Sequence, residues 1–271
     1  MSTPPVFEGS DGRFVATDLG RGPWDPQALH GGAPAALLMR EFERLPAADG
    51  LCLARVTYEF MRPVPVGPLE VRADVIRPGR RVQLLEGSIL ADGVEVVRAR
   101  ALRIQAADAG GADAGGADVS PPPPGPERGG PRPLRAPHRP MFAPDAIEIL
   151  FVSGEWSRGP CTAWFRLVCP VVSGEPPSAL QTLAAAGDFG NGISATLSWD
   201  DYLFINPDLT LYVEREPDGE WICLDAQTRI APGGIAVAES VLYDERGRVG
   251  RATQSLLVAP RGAAATSDGR P

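Results

Sequence analysis

The sequence has few of the residues on which hydrolytic chemistry usually rests. Its 271 residues include two histidines, His30 and His138, and His138 lies in a stretch with the composition of a linker. The chain has no Gly-x-Ser-x-Gly motif, the nucleophile elbow of α/β-hydrolases, and no obvious Ser-His-Asp triad. No group of His, Cys and Asp has the spacing of metal ligands. The sequence therefore predicts neither a hydrolytic metal nor a cofactor.

Positive charges are outnumbered by negative ones, and long apolar runs are scarce. The net charge of −8 argues against a nucleic-acid partner, because a phosphate backbone is bound by clustered Lys and Arg. It does not exclude a small anion in a local basic pocket. No stretch approaches the roughly 20 apolar residues of a membrane span, so no membrane partner is expected. Residues Met1–Pro5 lack the basic and apolar regions of a signal peptide, which predicts a cytoplasmic protein.

Cysteine is scarce as well. The four cysteines form no CxxC pair and lie among apolar residues, which predicts buried free thiols; they are Cys52, Cys161, Cys169 and Cys223. With 44% hydrophobic and 22% charged residues, the composition is typical of a globular protein. The length allows one large or two medium domains.

Residues 1–105 predict a helix followed by an antiparallel meander. Residues 7–19 alternate loosely and predict an opening strand. After His30-Gly31-Gly32, apolar residues fall at helical spacing up to Leu45, with Pro34 suited to the first turn. Four strand-like segments follow, separated by turns that favour hairpins: Cys52–Met61, Leu69–Arg77, Val82–Leu90 and Val94–Ile104.

Residues 106–140 have the composition of a linker, rich in Gly, Ala and Asp and then in Pro, Gly and Arg. We expect a protease to cut this segment first, for example after Arg128 or Arg132. Residues 141–260 repeat the plan of the first part, and residues 261–271 predict a disordered tail. The second part is predicted to contain the helix Pro177–Asp188 and the strands Ile147–Trp156, Thr162–Val168, Asp208–Glu214, Trp221–Thr228, Ile235–Tyr243 and Val249–Val258.

The two parts match at a constant shift of 153 residues. That shift carries Leu69 onto Ile222 and Glu86 onto Glu239, and it holds over four strands without a gap. We call residues 1–105 the first copy and residues 141–260 the second copy. The helices of the two copies match only at a shift of about 147, which predicts an insertion between helix and strands in the second copy. We interpret the match as an internal duplication and predict an α+β fold with a helix and an antiparallel sheet in each copy.

The stretch Asn206–Arg215 contains the best candidate for chemistry. Apolar and polar residues alternate along it, as in a half-buried strand, and Asp208 stands at the head of the alternation. The counterpart of Asp208 in the first copy is Arg55. Because one copy has a carboxylate where the other has a guanidinium, we expect one active site per chain, in the second copy.

The ordered motifs resemble those of the type II acyl-CoA thioesterases and their thioesterase-like relatives, over nearly the whole chain apart from the linker and tail. The resemblance implies a double hotdog fold, an acyl-CoA or acyl-carrier thioester as substrate, and a homo-oligomer. It rests on the segments His30–Gly32, Tyr58–Pro63, Val97–Ala101, Gly174–Ser178, Gly187–Gly192, Asn206–Thr210, Leu224–Thr228 and Arg251–Ser255.

In that family an Asp, a Ser or Thr, and a Gln of the second hotdog form the site, so the resemblance implies Asp208, Thr228 and Gln254 as catalytic residues. We expect Asp208 to act as general base or to orient the water, with Thr228 and Gln254 helping to hold it. The Gln254 amide or a backbone N–H would stabilise the oxyanion. Better-studied family members follow the Asp with His, whereas Leu209 follows here.

Other residues have plainer interpretations beside functional ones. His30, Gly31 and Gly32 are candidate substrate-binding residues, although His30 also suits a helix cap. Asp188 is predicted to be a cap or turn residue at the end of the second helix. Arg62 and Arg215, at equal repeat positions, are predicted to be structural. Candidate walls of an acyl tunnel, or plain core, are Leu37, Leu38, Phe42, Leu180 and Leu183.

The preferred hypothesis is an acyl-CoA thioesterase that hydrolyses its substrate with carboxylate-activated water. A hotdog that binds acyl thioesters without turnover is the first alternative, favoured by Leu209 after Asp208. A hotdog hydratase is a second alternative, but its characteristic loop carries an Asp and a His, and no such pair stands beside the second helix in the sequence. A purely structural oligomer is the third.

Overall fold

The structure, a computed structural model, describes residues 4–106, 121–134 and 136–261. The predicted tail from residue 262 onward, and residues 107–120 of the predicted linker, lie outside the described residues. The α-helices are α1 Gly32–Arg44, α2 Ala179–Gly187 and α3 Gly190–Ser194. The strands are β1 Phe7–Ser10, β2 Arg13–Ala16, β3 Leu51–Phe60, β4 Pro68–Arg77, β5 Val82–Ala91, β6 Val94–Gln105, β7 Ile147–Ser153, β8 Cys161–Leu167, β9 Tyr202–Ile205, β10 Asp208–Val213, β11 Ile222–Ile230, β12 Ile235–Asp244 and β13 Gly247–Pro260. None of the described helices is both long and apolar enough to cross a membrane.

The strands of the described chain form one antiparallel sheet. Their order is β1-β2-β4-β5-β6-β3-β10-β13-β12-β11-β8-β7, and β9 pairs with the end of β13. The run β4-β5-β6-β3 is thus repeated in reverse as β10-β13-β12-β11. This arrangement agrees with the internal duplication predicted from the sequence.

The two copies meet where β3 pairs with β10. Thr57 lies directly opposite Thr210, and the Thr210 hydroxyl donates to Thr57 Oγ1 at 3.1 Å. Because 210 − 57 = 153, two equivalent residues face each other, and an approximate twofold axis passes between them. A single sheet therefore runs without interruption from one copy into the other.

The helices cover one face of this sheet and pack against each other. Helix α1 contacts β4, β5 and β6, and α2 contacts β8, β10 and β11. The Ser178 hydroxyl caps α2 by accepting a hydrogen bond from Gln181 N at 3.0 Å, as expected for an N-cap serine. The candidate wall residues are all buried in the core beneath the helices: Leu37, Leu38, Phe42, Leu180 and Leu183.

The structure differs from the sequence prediction at the opening strand and in short elements such as β9 and α3, which were not predicted. Residues 7–19 form the hairpin β1–β2 rather than one strand, because Asp11 (φ 52°) and Gly12 (φ 77°) adopt the positive φ values of a tight hairpin turn. Strand β9 was not predicted, since four residues give too short a run for a clear alternation.

A strand break distinguishes the second copy from the first. Strand β3 is continuous, with an irregularity between Leu53 and Arg55, whereas the matching stretch of the second copy is divided into β9 and β10 at Asn206-Pro207. Proline lacks the N–H that a strand ladder requires. The break frees Asn206 from the ladder and lets its side chain turn toward the end of α2.

The cysteines are free, as predicted, and three of them are buried; Cys52 is half-buried. Burial raises the pKa of the Cys161 thiol to about 11 and that of Cys169 to about 12. Few thiolates exist at neutral pH under those conditions, so these thiols are poor nucleophiles.

Candidate active site

A cavity of about 380 Å³ lies where the two copies meet. The first copy contributes residues within 24–31 and 60–64. The second contributes residues within 188–192 and 203–206, together with Trp199 and Gln254. The site is therefore built from both copies, although its acidic and amide groups come mainly from the second.

Asp188 lies at the centre of the polar network in this cavity. Its Oδ1 accepts hydrogen bonds from Gln254 Nε2 at 3.0 Å and from Asn206 Nδ2 at 2.7 Å. Its Oδ2 lies 3.1 Å from His30 Nδ1, and its side chain is only 5% exposed. Two amides thus orient one carboxylate oxygen, and the other faces an imidazole.

The N-terminus of α1 approaches the same carboxylate. A Cβ on Gly31, the N-cap of α1, would lie 2.7 Å from Asp188 Oδ2, so only glycine allows the two to come this close. Asp188 itself ends α2, where a negative charge is unfavourable against the helix dipole. The positive end of α1 offsets that cost, which explains how the chain tolerates an acid there.

Gln254 is buried, and its side-chain amide is hydrogen-bonded within this network. Its Nε2 donates to the carbonyl and to Oδ1 of Asp188, at 3.2 and 3.0 Å. Its Oε1 accepts from the backbone N–H of Asn191 at 3.3 Å. Because these bonds use the amide group, the position of Gln254 favours a role in orienting Asp188. It does not favour the predicted hydrogen bond to an oxyanion.

Thr228 is buried one layer below the cavity. Its hydroxyl lies 2.8 Å from Ser194 Oγ and donates to Asn191 Oδ1 at 3.4 Å. This bond leaves Asn191 Nδ2 for the cavity, which Asn191 lines. Thr228 therefore positions Asn191 and lies apart from the cavity surface.

Asp208 lies elsewhere. Its Oδ1 accepts a hydrogen bond from Ser255 N at 2.7 Å, and it does not line the cavity. In β10 it shares the outer face of the sheet with Thr210 and the half-exposed Tyr212, because successive side chains alternate between faces. Among the described residues Asp208 shares no side-chain hydrogen bond with Thr228 or Gln254, and its role as base stays a prediction.

His30 is held by aromatic stacking and by the start of α1. Its ring stacks on Phe189 and Phe142, with centroids 4.3 and 5.4 Å away. The Gly32 N–H donates to its Nδ1 at 3.1 Å. Gly32 is itself packed so closely that an added Cβ would lie 2.5 Å from the Ala185 carbonyl oxygen. No Asp and His stand together in one loop beside the second helix in the sequence. In the structure such a pair forms between the two copies, from His30 of the first and Asp188 of the second.

A smaller apolar chamber, about 50 Å³ in volume, adjoins the cavity. The two spaces share Trp24, His30, Gly192 and Trp199 as lining residues. The rings of Trp24 and Trp199 pack at a centroid distance of 4.5 Å. The rest of the chamber is lined by Pro23, Leu134, Met141, Ala143, Trp156 and Phe189. These residues, and not the predicted helix residues, form the apolar wall beside Asp188.

Asp188, Asn191 and Asn206 were not predicted as site residues from the sequence. A signal existed for Asp188, because an acid at the C-terminal end of a helix opposes the dipole. The internal duplication did not single out Asp188, because its counterpart at a shift of 147, Glu41, is also acidic. Asn206 could have been noticed from Pro207, which interrupts an otherwise strand-like run.

Comparisons with known proteins agree with the sequence resemblance. A family model described as the acyl-CoA thioesterase N-terminal domain matches residues 20–104, and one described as the acyl-CoA thioesterase C-terminal domain matches residues 117–258. A comparison with curated proteins found no significant match.

Solved structures resemble the chain over almost its whole length. A protein of unknown function with a hotdog fold from Alicyclobacillus acidocaldarius has a TM-score of 0.70 at 17% identity, covering 94% of this chain and 95% of that one. The acyl-CoA thioesterase II TesB2 of Mycobacterium marinum has a TM-score of 0.66 at 17% identity, covering 94% and 97%. The tesB protein of Mycobacterium avium subsp. paratuberculosis has a TM-score of 0.64 at 16% identity, covering 94% and 96%. At these identities the likeness establishes the hotdog fold.

Proposed function

The chain belongs to the acyl-CoA thioesterase family, and on that premise we propose that it hydrolyses an acyl-CoA thioester to free CoA and a carboxylic acid. The observation that carries the proposal is the buried Asp188 carboxylate, oriented by Gln254 and Asn206 and facing His30 inside a cavity. A polar cluster of this kind in a largely apolar cleft is typical of an active site.

We further propose that the two copies are two hotdog units fused in one chain. The mirrored strand order and the pairing of Thr57 with Thr210 support this proposal. The counterpart of Gln254 is Ala101, and that of Asn206 is Leu53. The first copy therefore has no equivalents of the two amides that orient Asp188 in the second copy, and we expect one catalytic centre per chain.

In the proposed reaction Asp188 takes a proton from water while the water oxygen attacks the thioester carbonyl carbon. The acid so formed can pass that proton to His30 Nδ1, 3.1 Å from Asp188 Oδ2, once Nδ1 gives up the hydrogen bond that it accepts from the Gly32 N–H. Asn191 Nδ2 would donate to the developing oxyanion. When the intermediate collapses, the C–S bond breaks and the proton held by Asp188 and His30 passes to the thiolate sulfur.

The chamber beside His30 is the proposed site of the acyl group. Its Trp-rich wall would bury apolar surface, and aromatic rings favour planar groups through stacking. Its volume of about 50 Å³ is small beside the roughly 380 Å³ of the adjoining cavity. We therefore expect short or planar acyl groups to be preferred over long chains.

A panel of acyl-CoA thioesters that differ in acyl length and planarity tests this function. Release of free thiol is expected for short or planar acyl groups, with kcat/KM falling for long chains. Thioesters that bind without release of thiol would favour the non-catalytic module instead. Hydrolysis that is equally fast for all chain lengths would contradict the assignment of the acyl chamber.

A further inference from the structure

The two copies use one arginine in different ways. Arg62 and Arg215 are equivalent, since 215 − 62 = 153. Arg215 Nη1 donates to the buried Asp244 at 2.5 Å, and its Nη2 donates to the Gly247 carbonyl at 3.0 Å. The sequence prediction of a structural role agrees with these contacts of Arg215.

In the first copy the partner of this arginine is missing. The counterpart of Asp244 is Ala91, since 244 − 91 = 153. Asp218, whose backbone N–H supports the Asp244 carboxylate at 2.9 Å, corresponds to Pro65, which has no N–H to give. Among the described residues, the exposed Arg62 side chain has no hydrogen bond or ion pair. Its charge is thus available to a ligand.

Arg62 also lies on the wall of the cavity that contains Asp188. It is the only arginine among the described lining residues, and the ionisable acids there are Asp25 and Asp188. Apart from the imidazole of His30, Arg62 is the only described lining side chain that can offset these two negative charges toward an anionic substrate. A guanidinium is well suited to a phosphate, which it can bind with two parallel hydrogen bonds.

We propose that Arg62 binds a phosphate of the substrate's carrier and so determines which thioesters enter the site. This inference rests on the proposed thioesterase function. The phosphate can belong to CoA or to the phosphopantetheine arm of a carrier protein, since both place phosphate beyond the pantetheine that carries the thioester. The duplication thus left the same arginine as a structural ion pair in one copy and as a substrate contact in the other.

The test compares one acyl group on CoA, on 4′-phosphopantetheine and on pantetheine, which has no phosphate. Arg62→Ala is expected to raise KM about tenfold more for a phosphate-bearing thioester than for the pantetheine thioester, the range of a charged hydrogen bond. A selective change for both phosphate-bearing substrates identifies the phosphate next to pantetheine. A change for CoA alone identifies the nucleotide phosphates. An equal change for all three would overturn the proposal.

Ala91→Asp provides an independent test, because it restores the counter-ion that Arg215 has in the second copy. It is expected to raise KM for phosphate-bearing thioesters in the wild-type background and to add nothing in the Arg62→Ala background. Arg229→Ala, which removes an exposed arginine paired with Glu239, is the matched control and should leave the ratio of KM values unchanged. An Ala91→Asp effect that persists without Arg62 would contradict the inference.

Binding measurements separate this inference from the function on which it rests. If the wild type hydrolyses no thioester, the proposed function is lost, and calorimetry with CoA itself still tests Arg62. CoA binding that is about tenfold weaker in Arg62→Ala supports the inference. Equal binding by both proteins, or no binding by the wild type, overturns it.

Discussion

Replacing Asp188 with Asn is expected to lower kcat for acyl-CoA hydrolysis by about 100-fold or more, the typical contribution of an acid–base group. An amide has no basic oxygen to take a proton from water. Its oxygen can still accept from Gln254 and Asn206, and its NH₂ group can face His30 Nδ1, so the network keeps its shape. Steady-state kinetics with a thiol-detecting assay measures kcat, and thermal unfolding should give a midpoint close to that of the wild type.

Asp208→Asn is the matched control for this substitution. Asp208 lies away from the cavity and accepts a hydrogen bond from Ser255 N, which an amide oxygen can also accept. Its kcat should therefore stay close to that of the wild type. The opposite pattern, with Asp208→Asn inactive and Asp188→Asn active, would restore the base predicted from the sequence and contradict the role of Asp188.

Replacing Asp244 with Ala is expected to destabilise the protein by roughly 3 kcal/mol, as for the loss of a buried charge partner. The Asp244 side chain is fully buried, whereas Arg215 is about one-third exposed. The carboxylate also accepts from the backbone N–H groups of Asp218 and Arg246, both at 2.9 Å. Removing it takes away the acceptor of these bonds and the counter-ion of Arg215. Chemical denaturation of the wild type and the variant measures the difference in unfolding free energy.

The same ion pair sets the direction of a pH effect. Burial acts to raise the pKa of Asp244, but the hydrogen bonds from Arg215 and the two backbone N–H groups outweigh it, so the pKa is lowered. A carboxylate whose pKa is lower in the folded than in the unfolded state stabilises the fold above the unfolded pKa, about 3.9. That stabilisation is lost as the pH falls through the folded-state pKa, so the gap between wild type and variant should shrink below pH 4.

The control for Asp244 is Glu239, which pairs with Arg229 where both side chains are at least half exposed. Such surface pairs contribute at most about 1 kcal/mol. Glu239→Ala should therefore change stability far less than Asp244→Ala. Equal losses in the two variants would mean that the Asp244 pair is no more important than a surface contact.

Much of the fold could be predicted from the sequence, because it is encoded in local patterns. Helical spacing after Gly32 predicts α1, and alternation predicts the strands of both copies. The constant shift of 153 residues predicts how the copies match, which the pairing of Thr57 with Thr210 reflects. Each of these patterns depends on neighbours in sequence or on an offset that can be counted.

The site was harder to predict because its parts are distant in sequence. Asp188 alone resembles a helix-end residue, and it gains its setting from His30 of the other copy and from Asn206 beyond a strand break. Asp208 has the expected position in the sequence pattern, but strand alternation directs it to the outer face. Arg62 and Arg215 are likewise indistinguishable in sequence, and only their surroundings separate a free arginine from a paired one.

The most direct test of Asp188 as the catalytic base is a crystal structure of the Asp188→Asn variant with an unhydrolysed acyl-CoA bound. We expect the thioester carbonyl to lie in the cavity, with a water between the carbonyl carbon and position 188 at an attack distance of about 3–3.5 Å. We also expect Asn191 Nδ2 within hydrogen-bond reach of the carbonyl oxygen. A thioester bound beside Asp208 on the outer face of the sheet, away from Asp188, would contradict the proposed role of Asp188.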